Sequence, residues 1–490
     1  MNYRIIGYIL GHVCCFEGAF LALPFLVALI YREYAVGAAY LGTAVLCTVI
    51  GAVFVLKVPK DKRLYTKEGL VAVSLSWILL SVLGALPFRI SGEIPHYVDA
   101  LFETISGFTT TGSSILTDVE AMSHAGLFWR SFTHWVGGMG VLVFILAIIP
   151  SRGGAFMNLM KAESPGPSVS KFVPKLRDTA IFLYSIYMGM TIIQLVLLLL
   201  GGMPVFDAVT LTMGTAGTGG FAVKNSGIAE YTYYQQAVIT IFMILFGVNF
   251  NTWFLVVRKK PKQAFKSEEV LTYFAIIAVS VLIITFNILP EFPNLLQSFH
   301  HAAFQVASII TTTGYSTRDF NMWPPLSKTI LVILMFIGAC AGSTGGGIKV
   351  SRVIIMVKGI GKEIRMLLHP RSVHKVRMDG RPIEHEVVRS VNVYLAVYVL
   401  IFIGSLLIIT LDEKDLVTNF TAVAATLNNI GPGLEVVGAA GNFSSFSDLS
   451  KLVLCLDMLA GRLELFPMLM LFVPSVWTRH RPAKIRKKEA

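Results

Sequence analysis

Residues 299–317 read FHHAAFQVASIITTTGYST, a largely apolar run that ends in the polar loop Thr312-Thr313-Gly314. The run is about as long as half a membrane-spanning helix, so it predicts a short helix that delivers the loop into a membrane. A dehydrated cation needs several oxygen dipoles at close range, and backbone carbonyls supply them where a glycine permits unusual torsion angles. Alone, however, such a motif is weak, because threonine-rich turns also occur on soluble proteins.

The chain contains this kind of unit four times. Each copy follows one long apolar segment and precedes another, and the copies recur about every hundred residues, so they predict one structural unit used repeatedly. Four units around one axis would build a closed ring of carbonyl oxygens from a single polypeptide. The alternative is four unrelated turns outside the membrane. The other copies read DALFETISGFTTTGSS with Gly112, DAVTLTMGTAGTGGF with Gly219, and FTAVAATLNNIGPGL with Gly431.

Composition places the chain in a membrane. Of its 490 residues, 54% are hydrophobic and 14% are charged, and the mean hydropathy is +0.69, so a soluble fold would expose far too much apolar surface. The net charge of +12 comes mainly from basic residues in short loops on one side, which set membrane topology. The lipid bilayer is therefore an expected partner, and nucleic acid is not. The five cysteines lie in apolar runs without metal-ligand spacing and are expected to be reduced.

Two apolar segments, 3–30 and 36–57, precede the first unit and are each long enough to span a bilayer. The basic link at 57–67 and the basic run at 258–262 predict the cytoplasmic side, together with both termini. The predicted fold is an all-α polytopic membrane protein with two N-terminal helices and four repeats of span, re-entrant pore helix with its loop, and span. The predicted divisions are 1–60 for the N-terminal helices, 61–178 for repeat 1 with a connector, 179–265 for repeat 2, 266–386 for repeat 3 with a basic connector, and 387–490 for repeat 4 with a basic tail.

Within the repeats, the pattern predicts the boundaries of each helix. Asp99, Asp207 and Thr418 lie near the starts of pore helices, where such residues suit a helix N-terminus, and the opposite, negative helix ends then favour a cation at the loop. The outward spans are predicted at 69–90, 179–201, 270–289 and 390–411. The pore helices are predicted at 95–109, 204–216 and 417–428, with the third in the opening stretch, and the returning spans at 124–150, 232–257, 325–357 and 449–475.

The returning segment of the third repeat is rich in small residues from Gly338 to Gly347. Each glycine costs about 1 kcal/mol of helix stability relative to alanine, so this stretch predicts a mobile loop inside the membrane. It is not a nucleotide-binding P-loop, because Ile348 separates the last glycine from Lys349 and both flanks are membrane segments.

Charged side chains within the spans are expected to face protein or water, since each costs about 2.5–3.5 kcal/mol or more at the bilayer centre. Arg130 and His134, four residues apart, fit a structural hydrogen-bonding role as well as a role in transport. In the last span, Arg462 either forms a barrier to cations in the pore or pairs with Asp457 or Glu464 away from it. The predicted outer segments are acidic, which favours cations over anions.

Five motifs spread over the chain are HWVGGMG at 134–140, AESPGP at 162–167, AGSTGGGIK at 341–349, NNIGPG at 428–433 and GRLE at 461–464. Together they resemble the bacterial Trk/Ktr/HKT superfamily of potassium transporters. The two additional N-terminal spans are similar to those of the TrkH group within it. The resemblance covers essentially the whole chain.

The resemblance implies a pseudo-fourfold pore with K+ bound in the filter and no covalent cofactor. It also implies a homodimer, a cytosolic TrkA-type ring that binds NAD or ATP, and a place in the bacterial inner membrane. The positions before the filter glycines read Thr-Thr, Gly-Thr, Thr-Thr and Asn-Ile, so the four loops are not identical. The expected filter residues are Thr110, Thr111, Gly112, Thr218, Gly219, Thr312, Thr313, Gly314, Asn429, Ile430 and Gly431. The expected gate residues are Gly342, Ser343, Thr344, Gly345, Gly346, Gly347 and Arg462.

The favoured function is channel-like potassium uptake regulated by the cytosolic ring. The alternative is a symporter with alternating access, whose broken segments bind a cation and a second substrate. An enzyme is not expected, because the sequence lacks an HExxH motif, a nucleophile elbow and paired His or Cys ligands. The sequence does not decide whether uptake is coupled to Na+ or H+, how K+, Rb+ and Na+ rank, which nucleotide regulates, or how the gate rests.

Overall fold

A computed structural model describes residues 1–59, 65–140, 176–372 and 374–477. Within these ranges the chain has the predicted all-α polytopic fold, and its one β structure is a small hairpin of β1 (Arg377–Met378) and β2 (Arg381–Pro382). Several predicted features lie outside the described residues. They are the end of the first returning span after 140, most of the connector at 151–178 with the AESPGP motif, residues 60–64 of the basic link, and the basic tail after 477.

The two N-terminal helices, α1 (Tyr3–Ile30) and α2 (Tyr34–Val55), pack against each other beside the first repeat. Glycines bring the two backbones close together. A Cβ atom on Gly51 would lie 2.5 Å from Cys15 Sγ and 2.7 Å from Gly11 O. Lipid is as apolar as a leucine side chain, so close packing of small residues is what holds such a pair together in a membrane.

Each of the four repeats has an outer helix, a short pore helix and an inner helix. Repeat 1 contains α3 (Thr66–Gly84), α4 (Leu86–Ser91), α5 (Tyr97–Phe108) and α6 (His124–Met139). Repeat 2 contains α7 (Leu176–Leu200), α8 (Val205–Gly217), α9 (Tyr233–Phe246), α10 (Phe250–Val257) and α11 (Pro261–Ala264). Repeat 3 contains α12 (Glu268–Ile288), α13 (Leu295–Ile310), α14 (Pro325–Ile337) and α15 (Val350–Leu368). Repeat 4 contains α16 (His385–Ile409), α17 (Leu416–Leu427), α18 (Asp448–Arg462), α19 (Phe466–Leu471) and α20 (Pro474–Trp477).

The pore helices α5, α8, α13 and α17 form a closed circle. Each packs against the outer and inner helices of its own repeat and against the inner helix of the preceding repeat. For the first repeat, the preceding one is the fourth, since α5 contacts α18. This cyclic order places the loops at the ends of the pore helices around a common axis.

The outer helices are long, whereas the inner helices are short or broken. Among the described residues, six helices are long and apolar enough to cross a membrane, and they are the two N-terminal helices and the four outer helices. The third inner helix is interrupted between Ile337 and Val350, as its small residues predicted. The sequence interpretation missed two further breaks. Residues 247–249 bend the second inner helix by 95°, and Glu464 and Leu465, with φ of 63° and 64°, separate α18 from α19.

Short polar side chains begin three of the inner helices. The hydroxyls of Ser123, Thr232 and Ser447 each accept a hydrogen bond from the backbone N–H three residues further on. Thr418 lies in the first turn of the fourth pore helix, near its start as expected, and the N-cap is Asp415, whose carboxylate accepts from Thr418 N at 2.9 Å. The hydrogen bonds from the hydroxyl and the N–H of Thr418 lower the pKa of Asp415. A carboxylate is favourable at this position because its oxygen accepts from the free N–H groups and the helix N-terminus is positive.

Candidate ion filter and gate

The four filter loops share one backbone pattern. Each loop begins with a non-glycine residue in the left-handed region, with φ between 54° and 59°, and two residues later contains a glycine with φ between 82° and 103°. A non-glycine residue in this region costs about 1–3 kcal/mol and persists where its surroundings impose it, typically at functional sites. The left-handed residues are Thr110, Thr218, Thr312 and Asn429, and the glycines are Gly112, Gly220, Gly314 and Gly431.

The second repeat is in a different register from the predicted one. Thr218 is followed by two glycines, and Gly220, with φ of 84°, has the left-handed torsion of the filter glycines. The backbone hydrogen bonds that close the loops follow the same register in all four repeats. Gly219 therefore occupies the position directly before the left-handed glycine. In the first repeat this position is occupied by Thr111. Gly219 still contributes its carbonyl to the contact with Gly112, and Gly220 is the candidate residue that the sequence interpretation missed, although the adjacent glycines were the available signal.

Each filter glycine packs against a carbonyl oxygen of the next repeat. A Cβ atom on Gly431 would lie 2.8 Å from Thr111 O, and a Cβ atom on any of the other three glycines would overlap the facing oxygen. The contacts run from repeat 1 to 2, to 3, to 4 and back to 1, so they close a ring. Backbone oxygens from four segments at one level are the ligands that a dehydrated monovalent cation requires. The contacts join Gly112 to Gly219 O, Gly220 to Thr313 O, Gly314 to Ile430 O, and Gly431 to Thr111 O.

Hydroxyl and amide groups tie these loops together. In the first and third repeats, the threonine before the loop hydrogen-bonds to the threonine before the glycine, at 2.8 Å for Thr109 and Thr111. The fourth repeat has Asn429 in place of a threonine, and its amide donates to Thr111 Oγ1 and to Met458 O, both at 2.9 Å. The departure from a threonine thus connects the fourth loop to the first loop and to α18.

Arg130 and His134 brace the second filter loop against the first pore helix. The Arg130 guanidinium pairs with Glu103 at 2.8 Å, with both side chains at most 2% exposed, and lies 4.0 Å from the centre of the Phe221 ring. His134 Nδ1 donates to Gly107 O at 2.7 Å, and Nε2 accepts from Phe221 N at 3.2 Å. The imidazole is neutral, because one nitrogen donates while the other accepts. Both side chains therefore have the structural role that the sequence left open.

The glycine-rich segment between α14 and α15 lies directly beneath the filter. Gly346 N donates to Thr312 Oγ1 at 2.6 Å, and Gly347 N donates to Asn428 O at 3.0 Å. Lys349 is buried and donates from Nζ to the carbonyl of Gly345, which folds the loop back on itself. The predicted gate residues are thus in hydrogen-bond contact with the base of the filter.

Arg462 connects the filter to this loop. Its guanidinium donates to Thr110 Oγ1 at 3.1 Å and to Thr344 O at 2.7 Å, and it also reaches carbonyls in the glycine run of α6. The two carboxylates considered as alternative partners are engaged elsewhere. Glu464 pairs with Arg352, and Asp457 accepts from Ser405 at 2.7 Å. Arg462 therefore contacts the candidate filter, where the barrier interpretation requires it, rather than lying away from it.

Beyond the filter, the loops of neighbouring repeats interlock through Asn225. Its side chain accepts from Val119 N at 2.7 Å and donates to Asp118 Oδ1 at 2.8 Å, while its backbone N–H donates to Glu120 at 3.0 Å. The hydrogen bond from the Asn225 amide lowers the pKa of Asp118, so this carboxylate stays ionised at neutral pH. Negative charge in a pore mouth raises the local concentration of cations. Among the described residues, no group of three or more His, Cys, Asp or Glu side chains could hold a metal ion.

Similar proteins match this chain in sequence and in fold. A family model described as "TrkH: Cation transport protein" matches residues 37–479. The Trk system potassium uptake protein TrkH of Escherichia coli strain K12 is 36% identical over 487 residues, which cover 97% of this chain and 100% of that protein. The Salmonella typhimurium protein of the same name is 35% identical with the same coverage. The crystal structure of the potassium transporter TrkH from Vibrio parahaemolyticus matches with a TM-score of 0.88 and 32% identity, covering 98% of this chain and 100% of that chain.

The ring geometry predicts that Gly220→Ser impairs the filter as strongly as Gly112→Ser, Gly314→Ser or Gly431→Ser. A side chain at Gly220 overlaps the Thr313 carbonyl and must also adopt a torsion that costs about 1–3 kcal/mol. We expect discrimination of K+ from Na+ to fall in each variant, measured as ion flux into liposomes.

Gly202→Ser is the matched control. Gly202 has a similar left-handed φ of 76°, but a Cβ atom there meets nothing within 4 Å, so this variant tests torsional strain alone and should keep wild-type discrimination. Wild-type discrimination in a normally expressed Gly220→Ser protein would show that this register of the second loop is wrong.

Proposed function

The chain belongs to the TrkH family of cation transport proteins, and on this premise we propose that it takes up potassium through a pore between its four repeats. The observation that carries the proposal is the closed ring of filter glycines and carbonyl oxygens. A ring of this kind replaces the hydration shell of an ion, which is how carbonyl filters conduct. The ligands are the carbonyls of the filter loops, and potassium is the bound substrate.

In this proposal, residues 342–347 and Arg462 form the gate. Support comes from the contacts of Gly346 with Thr312 and of Arg462 with Thr110, because both threonines belong to the proposed filter loops. A cation that leaves the filter meets both. The charge raises the energy of the cation there, because the surroundings are poorly solvated and screen it weakly.

We also propose that the protein is a homodimer in the bacterial inner membrane and that a cytosolic, nucleotide-binding TrkA-type ring controls its gate. The basic residues Lys358, Lys362 and Arg365 on α15 support a cytoplasmic location for this end, and with it for both termini. Helix α15 also starts directly after the gate loop. Lys358 pairs with Glu268, and Asp379 of the hairpin accepts from Glu268 N at 2.7 Å, so this surface is joined to the start of α12. A partner bound here would act on the gate through one helix.

A symporter with alternating access is the second candidate. The breaks in the second, third and fourth inner helices favour it, because discontinuous helices bind ions and substrates in many transporters. The closed filter ring favours the channel, since four loops fixed against one another do not open alternately to two sides.

Ion flux into liposomes discriminates the two candidates. The protein is reconstituted without a partner, and K+, Rb+, Na+ and Li+ fluxes are compared with and without imposed proton and sodium gradients. A channel passes K+ down its own electrochemical gradient whatever the other gradients are. Obligatory dependence on a second gradient would contradict the channel and favour the symporter.

Shortening the loop at 342–347, or replacing Arg462 by alanine, should raise partner-free K+ flux and leave the order of selectivity unchanged. The reason is that each change removes an obstacle beneath the filter without touching its carbonyls. Arg89→Ala, which removes an exposed arginine at the end of α4, serves as the charge-matched control and should not change flux. A folded loop-deletion protein with wild-type flux would refute the gate, and lost selectivity would mean that the loop supports the filter instead.

A further inference from the structure

The gate loop is seated in the break of the second inner helix. A helix break leaves carbonyls at the end of one half and N–H groups at the start of the other without intrahelical partners. Here the loop supplies those partners, and the break in turn supplies partners for the loop. The hydrogen bonds are Cys340 N to Gly247 O at 3.1 Å, Phe250 N to Gly342 O at 3.0 Å, and Thr344 Oγ1 to Phe246 O at 3.3 Å.

A buried carboxylate completes this seat. Glu269, in the first turn of α12, is 5% exposed, and its Oε1 accepts from Ala341 N at 2.6 Å. The side chains of Asn249, in the helix break, and Ser351, in the first turn of α15, lie beside the same carboxylate. Burial of a carboxylate is costly unless hydrogen bonds compensate for the lost hydration. A carboxylate that accepts from the gate loop is therefore placed to hold that loop.

We propose that Glu269 is the positioning residue of the gate, which holds the loop in the helix break at 247–249 and so keeps the pore blocked. This proposal rests on the proposed function of the loop as a gate. Ala341 precedes the predicted gate residues, so Glu269 holds the loop at its start, while Lys349 and Thr312 hold its far half.

The energetic argument follows from the environment of these groups. Inside a membrane protein, a backbone group that loses its partner finds another only if water enters. When the loop leaves its seat, Ala341 N, Phe250 N and the carbonyls at the break all need water. Opening is therefore favourable only when water enters the space that the loop leaves, which is also the condition for ion passage. Removal of the Glu269 carboxylate lowers the cost of leaving the seat.

The accessibility of the Cys340 thiol shows whether the loop is in its seat, and it can be measured without a transport assay. It is fully buried in the seat, and the other cysteines of the chain can be replaced by alanine so that Cys340 is the remaining thiol. We expect Glu269→Ala to raise the rate of Cys340 labelling by a methanethiosulfonate reagent on the order of tenfold. This factor corresponds to the loss of one hydrogen bond to a charged group, which makes opening of the loop more favourable. Glu269→Gln, which keeps a neutral acceptor, should lie between wild type and Glu269→Ala. Partner-free K+ flux in liposomes should rise in the same order, with unchanged selectivity.

Glu68→Ala is the matched control. Glu68 is also 5% exposed and also lies in the first turn of an outer helix, but its carboxylate accepts from Asn2 N at 3.2 Å, away from the loop. Wild-type labelling and flux are expected in this variant. Equal increases in Glu68→Ala and Glu269→Ala would show that general loosening is responsible, which overturns the proposal.

Two further outcomes separate the seat from the gate. In the first outcome, the Glu269 variants show wild-type labelling and flux, while deletion of 342–347 raises flux. This result would refute the role of Glu269 in holding the loop but would support the loop as the gate. Wild-type flux in the deletion protein, with raised labelling in Glu269→Ala, would refute the gate, and with it the proposed role of Glu269. If Glu269→Ala does not fold, Glu269→Gln gives the same readouts.

Discussion

A backbone N–H or C=O group inside a bilayer has no water to bond to, and the irregular parts of this protein are arranged to meet that constraint. Among the described residues, the irregular segments at the centre of the fold include the filter loops, the glycine-rich loop and the break at 247–249. They hydrogen-bond to one another, through Gly346 to the filter and through Cys340 to the helix break. The long outer helices surround this polar centre, so the fold and the pathway for ions follow from the same requirement.

A single polypeptide can make each quarter of a fourfold ring different, and this chain does so. The shared part is the glycine, which is required because a carbonyl of the next repeat occupies the space of a side chain. The parts that differ between the repeats surround this glycine. Repeat 1 supplies the brace of Arg130 and His134, repeat 3 supplies the glycine-rich loop, and repeat 4 supplies Arg462. A pore of four identical subunits would need four loops and four arginines in the space that one of each occupies here.

The sequence predicted the helices and the pairing of each filter loop with a pore helix, because apolar run length and glycine position carry those features directly. It could not predict the register of Gly219 and Gly220, since both are glycines and only the φ angle and the facing carbonyl of Thr313 distinguish them. The break at 247–249 was missed because Val248 and Asn249 follow one glycine in an otherwise apolar run, and its partner is the loop about ninety residues later in sequence, which no local pattern reveals. The hydrogen bond from Ala341 N to Glu269 was missed for the same reason, because it joins segments that are distant in sequence.

The central claim is that four carbonyl-bearing loops converge on one ion site. Crystals grown with Rb+ or Tl+ in place of K+ test it most directly, because either ion gives an anomalous signal that locates it without a model of the filter. The account predicts a peak on the axis between the carbonyl oxygens of Thr111, Gly219, Thr313 and Ile430. A well-ordered filter with no peak on that axis, or with the ion bound outside the ring, would contradict it.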